Sequence, residues 1–236
     1  MKIIQETNHH YRLTRFGIVN CFLVEHDHTC TLIDTNLTGS AKSILHFARN
    51  LRLTIERILL THAHFDHVAS LDALFSNLPG VEIAIGARES RFLTGNFSLE
   101  ENERGKRLFG FMPIKSRSWE LLNDGDRIGP LLAISSPGHT PGHFSYLDTR
   151  DNTLIAGDAF TTQHGLVAAG VFQWTFPFPA LFSWNGELSA KSAAKLREVN
   201  PSRLCVGHGM TLISPAAEMN HAVARAFQQH PQAGQL

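Results

Sequence analysis

Three cysteines, at positions 21, 30 and 205, are all that this 236-residue chain contains. So few, odd in number and unclustered, they argue against a disulfide framework and fit a reducing compartment. Cys21, Cys30 and Cys205 each sit in apolar, strand-like sequence and read as small core residues. Tyrosine is scarcer still, at Tyr11 and Tyr146. No stretch approaches the roughly 18 continuous apolar residues of a membrane span. The opening run Met1-Lys2-Ile3-Ile4-Gln5-Glu6-Thr7 lacks the apolar core of a secretory signal, so the expected address is the cytoplasm. Nor does either charge prevail: 21 Lys+Arg meet 21 Asp+Glu, which removes the electrostatic case for nucleic acid or an anionic membrane as partner. A Gly-x-Ser-x-Gly elbow is missing and no cysteine neighbours a histidine, so a covalent nucleophile is the weaker reading.

What is present is enough apolar sequence for a core, 43% of residues, with no Pro/Gly/Ser-rich linker to divide it. A single domain over residues 1–236 is expected. Strands are predicted over residues 16–24, 30–33, 55–60, 81–85, 119–122, 127–135, 144–148, 153–156 and 203–206. Helices are predicted over 41–51, after His67, over 87–93, 187–199 and 215–229. Residues 94–115 read as a polar insertion, partly helical over 100–109, that forms either a lid or a surface excursion. Residues 160–185 read as a long irregular loop.

Histidine is the surplus. Fourteen are present, several beside Gly, Thr or Asp in turn-like settings, and neutral imidazole is the commonest metal ligand. Four segments each end a strand-like run and then present a ligand-type side chain. They are His62-Ala63-His64-Phe65-Asp66-His67, Pro137-Gly138-His139-Thr140-Pro141-Gly142-His143, Ala156-Gly157-Asp158 and Val206-Gly207-His208-Gly209. A lone Gly-His or Gly-Asp is usually only a turn. The block at His62 is different: three histidines and an aspartate within six positions have no packing rationale, because burying them unpaired is costly. Leaving His143 aside, the segments supply five histidines and two carboxylates, a donor set for two borderline metal ions.

The string His62-x-His64-x-Asp66-His67, followed in order by His139, Asp158 and His208, resembles the signature of the metallo-β-lactamase superfamily. It is most similar to the branch of glyoxalase II and the acyl-homoserine lactonases, and the likeness spans almost the whole chain. The resemblance implies an α/β fold, a four-layer αβ/βα sandwich of two mixed β-sheets flanked by helices. It further implies two divalent metal ions, zinc first, with iron or manganese as alternatives. His62, His64 and His139 would hold one ion, Asp66, His67 and His208 the other, and Asp158 would bridge them. Asp34 would orient a ligand histidine, or else only open the turn before Asn36. His143 is expected to make a structural hydrogen bond near the site rather than to ligate. The remaining histidines read as surface or core residues, with His164, close after Asp158, the strongest exception.

The chemistry expected of such a site is attack by a metal-bridging hydroxide on an ester, lactone or thioester carbonyl, with Asp66 moving the proton to the leaving group. Asp158 stands where the principal β-lactamase branch tends to carry cysteine, which argues against antibiotic hydrolysis. Glyoxalase II would add a C-terminal helical domain, whereas about 28 residues follow His208. Thr161 stands where the lactonases carry an assisting tyrosine. Alternatives are a mononuclear iron oxidoreductase of the sulfur dioxygenase kind, a phosphoesterase, or a non-catalytic binding protein on the same scaffold. Phe160, Thr161, His164, Phe172, Trp174 and Phe176 are the candidate substrate contacts. Residues 172, 174, 176 and 178 alternate as a strand or extended flap would, forming an apolar wall, a dimer contact, or ordinary packing under a loop. The expected partner is a small molecule with an apolar part, and the expected assembly a monomer or homodimer.

Overall fold

The computed structural model describes residues 1–116 and 119–234. They form two compact units, 1–95 with 111–122, and 96–110 with 123 onward.

In the first unit, seven strands make one sheet in chain order: β1 (Lys2–Gln5), β2 (His10–Arg15), β3 (Val19–His26), β4 (Thr29–Ile33), β5 (Thr54–Leu60), β6 (Glu82–Gly86) and β7 (Glu120–Leu122). The first four run antiparallel as a meander. From β4 onward the strands are parallel, with Ile33 opposite Leu59 and Leu60 opposite Ile85. Parallel neighbours need crossovers, and these are α1 (Ala41–Asn50) before β5, then α2 (Phe65–Val68) and α3 (Leu71–Asn77) before β6. Helix α1 buries Ala41, Ile44, Leu45 and Ala48 at the predicted helical spacing. Leu32, Ile33, Ile58, Leu59 and Leu60 are wholly buried, each contributing about 1.5–3 kcal/mol. Helix α4 (Ser90–Leu93) follows β6.

The second unit carries β8 (Arg127–Ile128), β9 (Leu131–Ser135), β10 (Phe144–Asp148), β11 (Thr153–Ile155), β14 (Arg203–Cys205) and β15 (Leu212–Ile213), in the order β15-β14-β11-β10-β9-β8. All pairs are antiparallel except β11–β14, which are parallel with Leu154 opposite Leu204. Strands β12 (Phe160–Thr161) and β13 (Val167–Ala168) form a separate hairpin, α5 (Phe178–Leu181) lies in the aromatic segment, and α6 (Gly186–Glu198) and α7 (Ala216–Gln229) complete the unit. Ala190, Ala193 and Leu196 of α6 and Met219, Ala222 and Ala226 of α7 join Leu154, Leu204 and Val206 in one core. Both sheets are mixed and both carry helices, as expected of an α/β fold.

Three expectations are corrected. The strand over 127–135 is two, because Gly129 takes φ 56° and Pro130 follows it, turning the chain between β8 and β9. Residues 100–109 hold no helix; a single turn, closed by Glu103 N–H on Glu100 O (3.0 Å), stands before Gly105, a poor helix former. The alternation over 172–178 is not a strand: Pro177 and Pro179 deny it ladder donors, and Phe178–Leu181 is helical instead. Strands β1 and β2 were not anticipated, since β1 is mostly exposed and β2 buries the polar side chains His10, Arg12 and Thr14. The three cysteines are buried, and burial pushes the Cys30 thiol up to about 12 and Cys21 higher still. No helix of the described residues is long and apolar enough to cross a membrane.

Candidate metal centre

Parallel pairing of β4 with β5 delivers two chain ends to one sheet edge. Asp34, next after β4, donates its N–H to Leu59 O (2.9 Å) and turns away with φ 60°. Asp is one of the few side chains that tolerate that left-handed backbone. Its carboxylate then meets the start of the histidine block. Thr61 N–H (2.8 Å) donates to Oδ1, while Thr61 Oγ1 (2.8 Å) and His67 Nδ1 (2.8 Å) reach Oδ2. A hydroxyl has one proton, and Thr61 spends it on Asp34, so the 2.9 Å contact with His62 Nδ1 has the imidazole as donor. Both His62 and His67 are thereby held as Nδ1–H tautomers with Nε2 as the lone-pair nitrogen, the form that binds metal.

The three rings of the block lie together. His62 is 4.7 Å from His64 and 4.2 Å from His67 between centroids, and all three are buried. Asp66, in the first turn of α2, keeps 16% of its side chain exposed, with Oδ2 3.8 Å from His67 Nε2. Phe111, from the insertion, packs at a tilt against His64 at 4.8 Å, and Met112 N–H donates to Ala63 O (3.3 Å). The stretch 111–116 is therefore built into this unit, whereas Phe109 packs on Phe182 (4.8 Å) in the other.

In the second unit the parallel pair β11–β14 does the same work. Ala156 N–H donates to Cys205 O and Gly207 N–H to Gly157 O, both at 2.8 Å, so Asp158 and His208 leave adjacent strands side by side. Asp158 Oδ2 lies 3.4 Å from His139 Nε2 and 3.1 Å from His208 Nε2. His139 is buried and its Nδ1 meets Ser183 Oγ (3.2 Å).

His143 is engaged through both of its ring nitrogens. Its Nε2 accepts the Asp158 backbone N–H (3.1 Å), so Nδ1 must carry the proton that goes to Ser136 Oγ (2.9 Å). Ser136 passes a hydrogen bond to Ser145 (2.8 Å), which donates to Ala156 O (3.3 Å). With Nε2 committed to the main chain of Asp158, His143 fixes that residue and has no lone pair to give a metal.

Among the candidate substrate contacts, Phe160 is wholly buried in the α6–α7 core. Thr161 turns its hydroxyl to His208 O (2.9 Å). His164 is exposed and faces Phe176 at 6.1 Å; Phe172 and Trp174 pair edge-on at 4.9 Å, with Trp174 89% exposed. Phe176, Phe178 and Phe182 continue the run at 5.1 and 6.0 Å.

Sequence reasoning passed over Glu89, Thr61, Ser136 and Ser183. Glu89 is wholly buried and accepts the Ala63 N–H (2.9 Å), bracing the loop between His62 and His64. A carboxylate beside the apolar run Phe92-Leu93 was a usable signal, since burial of an acid demands such a partner.

A model of the metallo-β-lactamase superfamily matches residues 14–208. The uncharacterized protein YobT of Bacillus subtilis (strain 168) is 47% identical over 210 residues, 88% of this chain and 90% of YobT. Hydroxyacylglutathione hydrolase 2 of Vibrio vulnificus (strain YJ016) is 28% identical over 151 residues, 64% of this chain and 50% of that one. Among solved structures, TTHA1623 in a di-iron-bound form superposes with a TM-score of 0.64 at 22% identity, covering 86% of this chain and 93% of that one.

Proposed function

The chain belongs to the metallo-β-lactamase superfamily, and on that premise we propose that it hydrolyses an ester, lactone or thioester carbonyl at a dinuclear metal centre. The coarser statement, a metal-dependent hydrolase, follows from the family and from its hydroxyacylglutathione hydrolase relatives. In the finer one, His62, His64 and His139 hold one ion, Asp66, His67 and His208 the other, and Asp158 bridges. The two units then act as one catalytic domain, in keeping with a family match that runs through both.

Asp158 Oδ2 carries this reading. A single carboxylate oxygen 3.4 and 3.1 Å from the Nε2 atoms of two histidines assigned to different ions is what a bridging ligand requires. The donor chemistry fits: imidazole nitrogens held as lone pairs by Asp34 and Thr61, with carboxylate oxygens, suit zinc, iron or manganese. Two such cations would lower the pKa of a bound water and polarise the substrate carbonyl.

The remaining work falls to the protein. Asp66, partly open while the neighbouring imidazoles are buried, is suited to take a proton from water and deliver it to the leaving group. Asp34 keeps His67 in register, and His143 holds the main chain of Asp158. His164, Phe172, Trp174 and Phe176 supply an apolar face for the substrate, while Phe160 and Thr161 hold the segment in place.

Elemental analysis of the purified protein, paired with a screen of lactones, thioesters, esters and phosphoesters, tests the proposal. Two divalent ions per chain with carbonyl-ester hydrolysis is the expected result. One iron per chain with oxygen uptake on a persulfide would overturn it in favour of an oxygenase. Turnover of phosphoesters alone would overturn the carbonyl assignment.

A further inference from the structure

Building on the assignment of His139 as a ligand, we propose that Ser183 is a positioning residue that locks the His139 imidazole in its Nδ1–H form and so presents Nε2 to the metal. Ser183 lies in the aromatic segment, far along the chain from His139, and is 2% exposed. Its hydroxyl oxygen offers one proton and two lone pairs. The proton goes to Pro179 O (2.5 Å) and one lone pair accepts the Gly170 N–H (2.9 Å). The remaining lone pair faces His139 Nδ1 at 3.2 Å, and with the hydroxyl proton already spent the imidazole must be the donor.

The main chain leaves little freedom to escape this. Trp184 N–H donates to His139 O and Asn185 N–H to Gly138 O, both at 2.9 Å, so residues 183–185 grip the turn that carries the ring. Gly138 has φ 135°, and a Cβ there would stand 2.3 Å from Ser189 N, so the turn is shut on its other side by α6. Asn185 is itself fixed as the N-cap of α6, accepting the Leu188 N–H (3.0 Å). Residue 106 adds a strap: Lys106 N–H donates to Trp184 O (2.8 Å) and its ammonium to Ala180 O (2.7 Å). A hydroxyl fixed by Pro179 O and Gly170 N–H is a preset acceptor, and partners of this kind typically tune metal affinity by about 10–100-fold.

The test is zinc retention by the loaded protein against a competing chelator, with circular dichroism as the check on folding. Ser183→Ala should release one of its two zinc equivalents about 10–100-fold more readily than the wild type, and Ser183→Thr should restore wild-type retention. Wild-type retention in folded Ser183→Ala overturns the proposal, as does equal loss in the alanine and threonine variants, which would mark a packing role. Should the alanine variant fail to fold, the near-isosteric Ser183→Cys, a weak acceptor, carries the same test with the same two outcomes. A wild-type protein that binds fewer than two ions would fail the dinuclear assignment itself, a result distinct from any of these.

Discussion

The two histidine-bearing regions solve one problem with opposite means. In the first unit the candidate ligands are nearly consecutive, and a buried carboxylate, Asp34, fixes His67 directly and His62 through Thr61. In the second they arrive on three separate loops, and neutral groups hold them: Ser183 for His139, Ser136 and His143 for Asp158. Each half is vulnerable in its own way. The first depends on one anion whose loss leaves several buried groups stranded; the second gives each ligand its own neutral partner, so that loss of Ser183 disturbs His139 and leaves the contact of His143 with Asp158 in place.

Removing a proposed ligand should give the largest effect. His64→Ala or Asp66→Ala should abolish esterase or lactonase turnover, a loss on the order of 10⁴-fold or more, while the folded structure survives by circular dichroism. Wild-type rates in either variant at low metal content would refute the mechanism. The next effect separates the two regions. Asp34→Ala should weaken metal retention about 10–100-fold and lower stability by about 1–3 kcal/mol for each buried donor left unsatisfied, read by urea denaturation. His143→Ala should cost less than His139→Ala in metal retention, because it removes only an acceptor for the Asp158 N–H. Equal losses would erase the distinction between the two histidines.

The smallest effect concerns the insertion. Burial pushes the Asp72 carboxyl up, but the N–H groups of Lys115 and Ser116, the Ser116 hydroxyl and the Lys115 charge together outweigh it and hold the group below its ordinary value. A carboxyl depressed in the folded state contributes stability that is present above its unfolded value, near 4, and is lost as pH falls through the folded one. The stability gap between wild type and Asp72→Asn should therefore be widest at neutral pH and close on acidification. A gap that does not change with pH would show that Asp72 does not anchor residues 115 and 116.

How much could be read in advance follows from the same contrast. The block at His62 stood out because contiguity made the anomaly local: three histidines and an aspartate after a buried strand have no packing rationale. The turns at His139, Asp158 and His208 were legible only together, since each alone is an ordinary glycine turn. Ser183 and Ser136 carried no signal at all, because a serine's role depends on what folding brings to it. The insertion and the aromatic segment were misread in part for a related reason. Turn residues and prolines over 100–110 and 172–179 override the local pattern, so Phe109 and Phe111, two residues apart, end in different units.

The segment after Asp158 is pinned at both ends, buries Val167, Ala168 and Val171 in the core, and exposes aromatics at 172, 174 and 178. At its start Thr161 and Thr162 bond the His208 carbonyl, and a Cβ on Gly209 would stand 2.3 Å from Thr162 Oγ1, so that junction is interlocked. At its end Ser183, Trp184 and Asn185 are tied to Gly138 and His139. The exposed aromatics at 172, 174 and 178 lie between these anchors. On the proposed reading only residues 172–178 can be exchanged like a cassette; residues 167–171 and Pro179 belong to the frame, since they pack in the core or hold the Ser183 hydroxyl.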